Sequence, residues 1–406
     1  NINFVKKTFF IFFLIGFVRA EIHDVSILEN DTASYNYADF RMWVNDSTDT
    51  LRGVYWFMHP NNGDSRNVVS DSNYQILASN QDFALMGAHI FNMHMHTGIG
   101  DAVIAAMDSF AVLFSHDEIS FIPFFINGYS WGGQFGYHFT KWIPERMLGF
   151  ITQKGGYHDT TDAGAAVEVP GLMFIAENEP PYRIENLTGI FLDHRPLGAK
   201  WILAMEQGVG HTQVIDYPFL DSFFNTVVNL RLPDSMDVFQ PVTLNSLPDS
   251  IGWLGHQTNW TIGSWDCYDV VVDSSSWFPR REVGELWQNF VSEGTIMDTS
   301  ACDSIAVATD FAIPTKFLLH TPYPNPFNPI TKLLYKLPEN SFVNITVYDL
   351  LGKKVKTLIN TTQDAGFKSV IWDATNDHGK PVSAGFYLYQ IRAGKFTQTK
   401  KMVLLK

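Results

Sequence analysis

The stretch Asn127-Gly128-Tyr129-Ser130-Trp131-Gly132-Gly133 decides how the chain is organised. An apolar run at residues 121–126 precedes it and is long enough for one buried strand. Residues 134–139 follow it and begin a helical spacing. Glycines placed two residues before and after a serine allow a very sharp turn between a strand and a helix. The stretch therefore predicts a reactive Ser130 hydroxyl at such a turn, and the alternative is a glycine-rich turn with an ordinary serine.

Strand-like and helical patterns alternate on both sides of this turn. Strands are predicted at residues 40–44, 52–58, 83–88, 121–126, 148–153, 169–176 and 199–205. Helices are predicted at residues 68–80, 101–114, 217–230 and 281–290. This alternation is typical of a mostly parallel sheet covered by helices, so the predicted fold class is α/β.

A serine hydroxyl becomes a good nucleophile when a base takes its proton, and histidine is the usual base near neutral pH. The chain has 13 histidines. His211 is the candidate because it ends the loop Gly208-Val209-Gly210-His211, which follows the predicted strand at 199–205. The alternative is a structural loop histidine.

A third residue, an acid, should orient the histidine, and it should follow a strand lying between the serine and the histidine in sequence. The predicted strand at 169–176 leads to two glutamates, Glu177 and Glu179. Strand alternation suggests that both point to the same side. Glu179 is the first choice because its distance from the strand end suits a turn, and Glu177 and Asp193 remain alternatives.

Two backbone N–H groups should bind the oxyanion that forms during attack on a carbonyl. The sequence predicts the N–H of Trp131 and that of Asn61, because Pro60 has no N–H. The Trp131 side chain either lines the acyl pocket or packs in the core.

Composition and charge restrict the partners. The chain has 406 residues and a net charge of -14, which argues against nucleic acid as the main partner. Residues 316–406 hold 13 basic and 5 acidic residues, whereas the rest of the chain carries a net charge of -22. Two modules with separate roles are expected.

The N-terminal segment, residues 1–20, is typical of a secretory signal peptide, with Lys6 and Lys7 before a short apolar run. A retained anchor is the alternative. We therefore expect a secreted or surface-exposed protein that contacts the membrane only transiently.

Export permits a disulfide between Cys267 and Cys302, the two cysteines of the chain, although two buried thiols remain the alternative. His89, His94 and His96 could suggest a metal site. No cysteine or carboxylate spacing completes one, so neither a metal nor another cofactor is expected.

Four segments are predicted from these patterns. The signal peptide at 1–20 precedes a catalytic domain at 21–315, which carries an appended lobe at 232–315. A proline-rich linker at 316–330 leads to short alternating strands at 331–406, which predict a small antiparallel β-sandwich.

With these motifs identified, residues 50–230 resemble the α/β-hydrolase superfamily. The resemblance rests on the Gly128-Tyr129-Ser130-Trp131-Gly132 turn, on the order Ser130, Glu179, His211, and on the loop after His59. It is nearest to compact esterases such as dienelactone hydrolase, cutinase and the acetylxylan and feruloyl esterases. It implies a serine carboxylic-ester hydrolase acting on a small or polymeric ester.

The C-terminal segment resembles the sorting domain of the type IX secretion system. The matching motifs are Tyr-Pro-Asn-Pro-Phe-Asn-Pro from residue 323, Val-Tyr-Asp-Leu-Leu-Gly from residue 347, Gly-Phe-Tyr-Leu-Tyr from residue 385 and the lysine-flanked C-terminus. The resemblance implies that the type IX machinery is a partner and delivers the protein across the outer membrane.

The function predicted from the sequence is thus secreted ester hydrolysis by Ser130, His211 and Glu179. A serine peptidase would use the same residues. The alternative from another class is a catalytically silent, surface-displayed protein that binds carbohydrate or protein, with the tryptophans of residues 253–287 as a platform.

Overall fold

The computed structural model describes residues 21–29, 32–60, 63–237, 239–267, 272–294, 317–319, 322, 325, 327–329 and 331–405. The chain divides into two compact units, Asn1–Ser304 and Ile305–Lys406. The predicted signal peptide at 1–20 lies outside the described residues.

The first unit is built on an eight-stranded sheet with the order β1-β2-β4-β3-β5-β6-β7-β8. Its strands are β1 (Glu21–Leu28), β2 (Tyr37–Val44), β3 (Gly53–Met58), β4 (Phe83–Ile90), β5 (Phe124–Tyr129), β6 (Met147–Gln153), β7 (Gly171–Ala176) and β8 (Trp201–Glu206). β1 and β2 are antiparallel to their neighbours. The other six strands, β3 to β8 by number, are mutually parallel. The carboxyl ends of β5, β6, β7 and β8 therefore meet at one edge of the sheet.

Helices cover both faces of this sheet, and a separate apolar core lies on each face. The helices are α1 (Ser72–Ser79), α2 (Ile99–Phe114), α3 (Trp131–Trp142), α4 (Pro181–His194) and α5 (Tyr217–Arg231). β3 and β7 are buried along their whole length, as expected for strands that are covered on both faces. Across the described residues, no helix has the length and apolar character needed to span a membrane.

The edge strand β1 and the helix α4 were not predicted from the sequence. β1 lies at the sheet edge and exposes most of its residues, so it carries little of the apolar pattern on which strand prediction depends. α4 begins with consecutive prolines, Pro180 and Pro181, and follows a polar turn. Proline suits the first helical turn, where a missing N–H costs no hydrogen bond.

In its described residues, the lobe predicted at 232–315 contains a three-stranded sheet and an α-helix. These are β9 (Trp253–Gly255), β10 (Ile262–Ser264), β11 (Ser276–Phe278) and α6 (Arg281–Val291). The lobe covers edge strand β8: Trp287 Nε1 donates to the carbonyl of Leu203 at 2.8 Å, and Leu203 N donates to Ser276 Oγ at 2.9 Å. Covering an edge strand prevents its pairing with another chain, so this lobe supports the sheet.

The tryptophans of the lobe do not form an exposed platform. Trp277 and Trp287 are fully buried. Trp253, Trp260 and Trp265 are partly buried and pack against the apolar clusters of the same unit. Their main role is packing, which removes the feature that had suggested carbohydrate binding.

The second unit is an antiparallel β-sandwich, as predicted. One sheet has the order β12-β13-β16 and the other has the order β15-β14-β17-β18. The strands are β12 (Leu318–Leu319), β13 (Thr331–Leu337), β14 (Ser341–Asp349), β15 (Lys354–Gln363), β16 (Gly366–Trp372), β17 (Gly385–Ala393) and β18 (Phe396–Leu404). The sequence had assigned residues 316–330 to a linker, but β12 and buried Phe327 are part of the sandwich and its core.

Candidate active site

Ser130 lies at the sharp turn between β5 and α3, where the sequence predicted it. Its backbone has φ 55° and ψ -120°, a conformation that is strained for a residue with a Cβ. The turn is fixed by the Ser130 N–H, which donates to the carbonyl of Gln153 on β6 at 2.7 Å. The strained backbone thus holds the hydroxyl at the carboxyl edge of the sheet.

The glycines around Ser130 are required by close backbone contacts. A Cβ on Gly128 would lie 2.2 Å from the carbonyl oxygen of Gly132. A Cβ on Gly132 would lie 2.5 Å from the carbonyl oxygen of His59 and 2.6 Å from that of Met58. Gly132 therefore allows helix α3 to approach the end of β3, which brings the loop after β3 next to Ser130.

Replacing Gly132 with alanine is expected to reduce both stability and activity. The new Cβ meets two backbone carbonyls, which cannot rotate away, and overpacking of this kind costs about 1–3 kcal/mol. The movement of α3 away from β3 would also displace the backbone beside Ser130. Thermal unfolding and ester hydrolysis measure the two effects. Gly189→Ala on α4 is the control, because a Cβ there meets nothing within 4 Å. Equal behaviour of the two variants would contradict the prediction.

Three side chains predicted from the sequence come together at this edge. The Ser130 hydroxyl donates to Nε2 of His211 at 2.9 Å, and His211 Nδ1 donates to Oε1 of Glu179 at 2.5 Å. Ser130 is 9% exposed, and the Glu179 side chain is 1% exposed. A nucleophile, a base and an orienting acid within hydrogen-bond reach form the geometry of a serine triad.

The two alternative acids lie elsewhere. The chain turns immediately after β7, so strand alternation does not continue and the two glutamates point in different directions. Glu177 is exposed and accepts a hydrogen bond from the N–H of Gly208 at 2.8 Å. Asp193 is exposed on α4. The carboxylate that contacts His211 is that of Glu179.

A buried polar network joins the serine turn to the histidine loop. Asn127 donates to the hydroxyl of Tyr55 at 2.9 Å, and Gln153 donates to Oδ1 of Asn127 at 2.7 Å. The other amide atom of Gln153, Oε1, accepts from the N–H of Val214 at 2.9 Å. Because the Gln153 carbonyl also binds the Ser130 N–H, this one residue fixes both sides of the Ser130–His211 pair.

Two further contacts restrain the backbone of His211 and the side chain of Glu179. The Tyr129 hydroxyl donates to the carbonyl of His211 at 2.7 Å. The guanidinium Nε of Arg183, a residue of α4, lies 3.5 Å from Oε2 of Glu179. Burial raises the pKa of Tyr129, so its hydroxyl stays protonated and can donate at neutral pH.

One of the two expected oxyanion donors is placed by the structure. Trp131 is the first residue of α3, so its N–H has no acceptor within the helix. Asn61, the other expected donor, lies outside the described residues. His59 is half-buried at the end of β3, and burial lowers its pKa. Its carbonyl contacts the α3 turn at Gly132, so the chain reaches this edge of the sheet just before Asn61.

The histidine cluster proposed as a rival metal site does not gather around one point. The rings of His94 and His96 stack at 5.4 Å, and His89 Nε2 lies 3.3 Å from the hydroxyl of Tyr37. The part of the chain that the structure describes contains no group of three potential metal ligands. The ring of His94 packs edge-on against Trp131 at 5.2 Å, so packing accounts for part of the tryptophan surface.

Cys267 is disulfide-bonded. Cys302, the other cysteine of the sequence, lies outside the described residues.

The mostly parallel sheet, the serine turn and the order Ser130, Glu179, His211 along the chain identify an α/β-hydrolase fold. The predicted fold class is therefore confirmed.

Known proteins are similar to this chain over part of its length. Residues 331–395 match the family described as the FlgD Ig-like domain. No curated protein sequence matches the chain. Solved structures to which this chain is similar include three hydrolases. FphF, a fluorophosphonate-binding serine hydrolase of Staphylococcus aureus, is 11% identical, with 52% of this chain and 97% of that chain covered and a TM-score of 0.36.

The other two structures are similar to the same degree. An S-formylglutathione hydrolase from Agrobacterium tumefaciens is 13% identical, with 52% and 95% of the two chains covered and a TM-score of 0.39. LpqC, a poly(3-hydroxybutyrate) depolymerase from Bordetella parapertussis, is 11% identical, with 54% and 93% covered and a TM-score of 0.39. At these identities and TM-scores, the likeness assigns no substrate to this chain.

Sequence reasoning missed the residues that support the three side chains, namely Asn127, Gln153, Lys154 and Arg183. A signal for three of them was present. Asn127, Gln153 and Lys154 are polar residues within or directly after apolar strands. A polar side chain at the carboxyl end of a buried parallel strand is placed where ligands and catalytic groups gather in such sheets.

Proposed function

We propose that this protein is a serine hydrolase that cleaves carboxylic esters through an acyl-enzyme. The observation that carries the proposal is the continuous chain of hydrogen bonds from Ser130 through His211 to Glu179. It is supported by the strained serine turn and by the N–H at the start of α3, which has no acceptor within that helix.

In the proposed mechanism, Ser130 Oγ attacks the ester carbonyl while Nε2 of His211 takes its proton. The tetrahedral oxyanion is bound by the N–H of Trp131 and by a second donor in the loop after His59, for which Asn61 is the candidate. His211 returns the proton to the leaving alcohol. Water, activated by the same histidine, then releases the acid and restores Ser130. Glu179 holds His211 in the tautomer that accepts a proton at Nε2 and stabilises the imidazolium.

The substrate class follows from chemistry rather than from any relative. An alcohol leaves more easily than an amine. Cleavage of an ester therefore depends less on protonation of the leaving group, whereas cleavage of a peptide bond would require His211 to protonate the amine efficiently. We propose an ester, small or polymeric, as the substrate, and no cofactor takes part in the steps above.

Hydrolysis of p-nitrophenyl esters from acetate to laurate tests the proposal. We expect turnover by the full chain, with covalent labelling by a fluorophosphonate at a single serine. The acyl-length profile then separates a pocket for short acyl groups from one for long chains. The absence of both turnover and labelling would reject the proposal and favour a binding protein. Turnover of peptides with no ester turnover would favour a serine peptidase.

We further propose that residues 1–20 direct export and that the C-terminal sandwich directs secretion through the type IX pathway. The support is the apolar N-terminal segment, the basic charge of residues 316–406 and the motifs described above. Expression in a bacterium that has the pathway, with and without residues 316–406, tests this. Loss of the shortened protein from the medium and cell surface is expected, and equal export would overturn the proposal.

A further inference from the structure

We propose that Lys154 is a positioning residue for His211, an inference that rests on the ester hydrolysis proposed above. Lys154 directly follows β6, and its side chain is completely buried at 0% exposure. Burying a charge is costly unless it is paired and hydrogen-bonded. A fully buried lysine at the carboxyl edge of the sheet therefore needs partners. Those of Lys154 lie at the end of β8 and in the loop that follows it, which carries His211.

The ammonium group of Lys154 contacts the last residue of β8 and two points of this loop. It lies 2.5 Å from the carboxylate of Glu206, and it donates to the carbonyl of Gly210 and to the hydroxyl of Thr212, each at 3.2 Å. The Glu206 carboxylate compensates the charge of the ammonium as an ion pair, and Gly210 and Thr212 accept hydrogen bonds from two of its three N–H donors. Gly210 and Thr212 are the residues directly before and after His211. Lys154 thus holds the loop on both sides of the base.

The backbone of Lys154 supports the same conclusion. Its φ is +55°, in the left-handed region that residues with a Cβ seldom adopt. Two hydrogen bonds hold this conformation: Lys154 N donates to the carbonyl of Phe174, and Arg183 Nη1 donates to the Lys154 carbonyl at 2.9 Å. The same Arg183 approaches Glu179, so the lysine that holds the histidine loop is tied to the acid as well.

The contacts of Lys154 with Gly210 and Thr212 keep His211 Nε2 within reach of the Ser130 hydroxyl. The histidine is substantially exposed, so the polar contacts of the residues on either side of it help to set its position. A displacement of about 1 Å at a catalytic group can lower a rate by about 100-fold. Substrate binding depends on other surfaces, so we expect a loss in kcat with little change in KM.

Lys154→Met tests the inference, because methionine removes the ammonium and keeps much of the volume. We expect kcat for p-nitrophenyl esters to fall by about 100-fold, with KM changed by less than about threefold. The rate of fluorophosphonate labelling should fall in parallel, because that reaction also needs the base. Lys200→Met is the matched control: Lys200 is a buried lysine in the same unit, bound to Asp249 and distant in the fold from the histidine loop. Its kcat should stay within about twofold of wild type.

Thr212→Val provides the second variant, since Thr212 is exposed and its replacement carries little risk to folding. The Thr212→Val variant removes one hydrogen-bond acceptor of Lys154, and we expect kcat to fall by about threefold to tenfold. The same replacement should have no effect on kcat in the Lys154→Met background, because the two residues act through one contact. A folded Lys154→Met protein with kcat near wild type overturns the inference. If Lys154→Met does not fold, an unchanged kcat in Thr212→Val overturns it. Absence of Ser130-dependent hydrolysis in the wild-type protein would instead reject the proposed function.

Discussion

Replacement of Ser130 with alanine is expected to reduce kcat for ester hydrolysis by a factor on the order of 10⁶, the loss seen when a serine nucleophile is removed. The reason is that no other hydroxyl is hydrogen-bonded to the imidazole of His211 among the described residues. The acyl-enzyme then cannot form, and the remaining rate comes from binding and oxyanion stabilisation. Fluorophosphonate labelling should be lost together with turnover.

The matched control for this variant is Ser109→Ala. Ser109 lies on α2 and donates to the carbonyl of Ala105, one turn earlier in the same helix. Its removal should leave turnover and labelling unchanged. The fold of Ser130→Ala should remain intact, since alanine fits the space of serine, and an unchanged thermal transition would show this. Persistent labelling of a folded Ser130→Ala protein would mean that another residue is the nucleophile.

Glu179→Gln is expected to reduce kcat by about 10⁴-fold, the effect of the equivalent acid-to-amide change in a serine protease. The carboxylate accepts the Nδ1 proton of His211 and is almost fully buried, so it fixes the tautomer that leaves Nε2 free to accept from Ser130. An amide can instead present an N–H to Nδ1 and favour the opposite tautomer. The reaction then lacks a base, although the geometry of the site changes little.

Glu177→Gln separates this effect from the simple loss of a carboxylate. Glu177 stands two residues before Glu179 and accepts a hydrogen bond from Gly208, which the carbonyl oxygen of glutamine can also accept. Its kcat should remain within about twofold of wild type. Comparison of kcat for the two variants decides between the acids. A large loss in Glu177→Gln with a small loss in Glu179→Gln would contradict the assignment of the acid.

Local sequence was sufficient for the serine turn and for the order of most strands and helices. The predicted strand at 121–126 is observed as Phe124–Tyr129, and the predicted helix at 101–114 is observed as Ile99–Phe114. These elements depend on apolar periodicity and on glycine near the turn, which are properties of neighbouring residues. β1 was missed because its exposure weakens that periodicity.

The choice between carboxylates needed the tertiary structure. Glu177 and Glu179 follow the same strand, and the sequence pattern gives both similar access to the sheet edge. The turn after Ala176 buries one and exposes the other. That turn is fixed by contacts with the histidine loop, in which Asn178 N donates to the carbonyl of Val209. A contact between segments so distant in sequence leaves no periodic signal.

The sequence by itself determined that Ser130 lies on a strained turn between a strand and a helix, because close packing at that turn admits only glycine at the neighbouring positions. The tertiary structure alone decided which acid meets His211, and that Lys154 and Gln153 hold the loop around it. The physical reason is distance along the chain. Backbone geometry is set by adjacent residues, whereas the site forms where the carboxyl ends of four parallel strands meet.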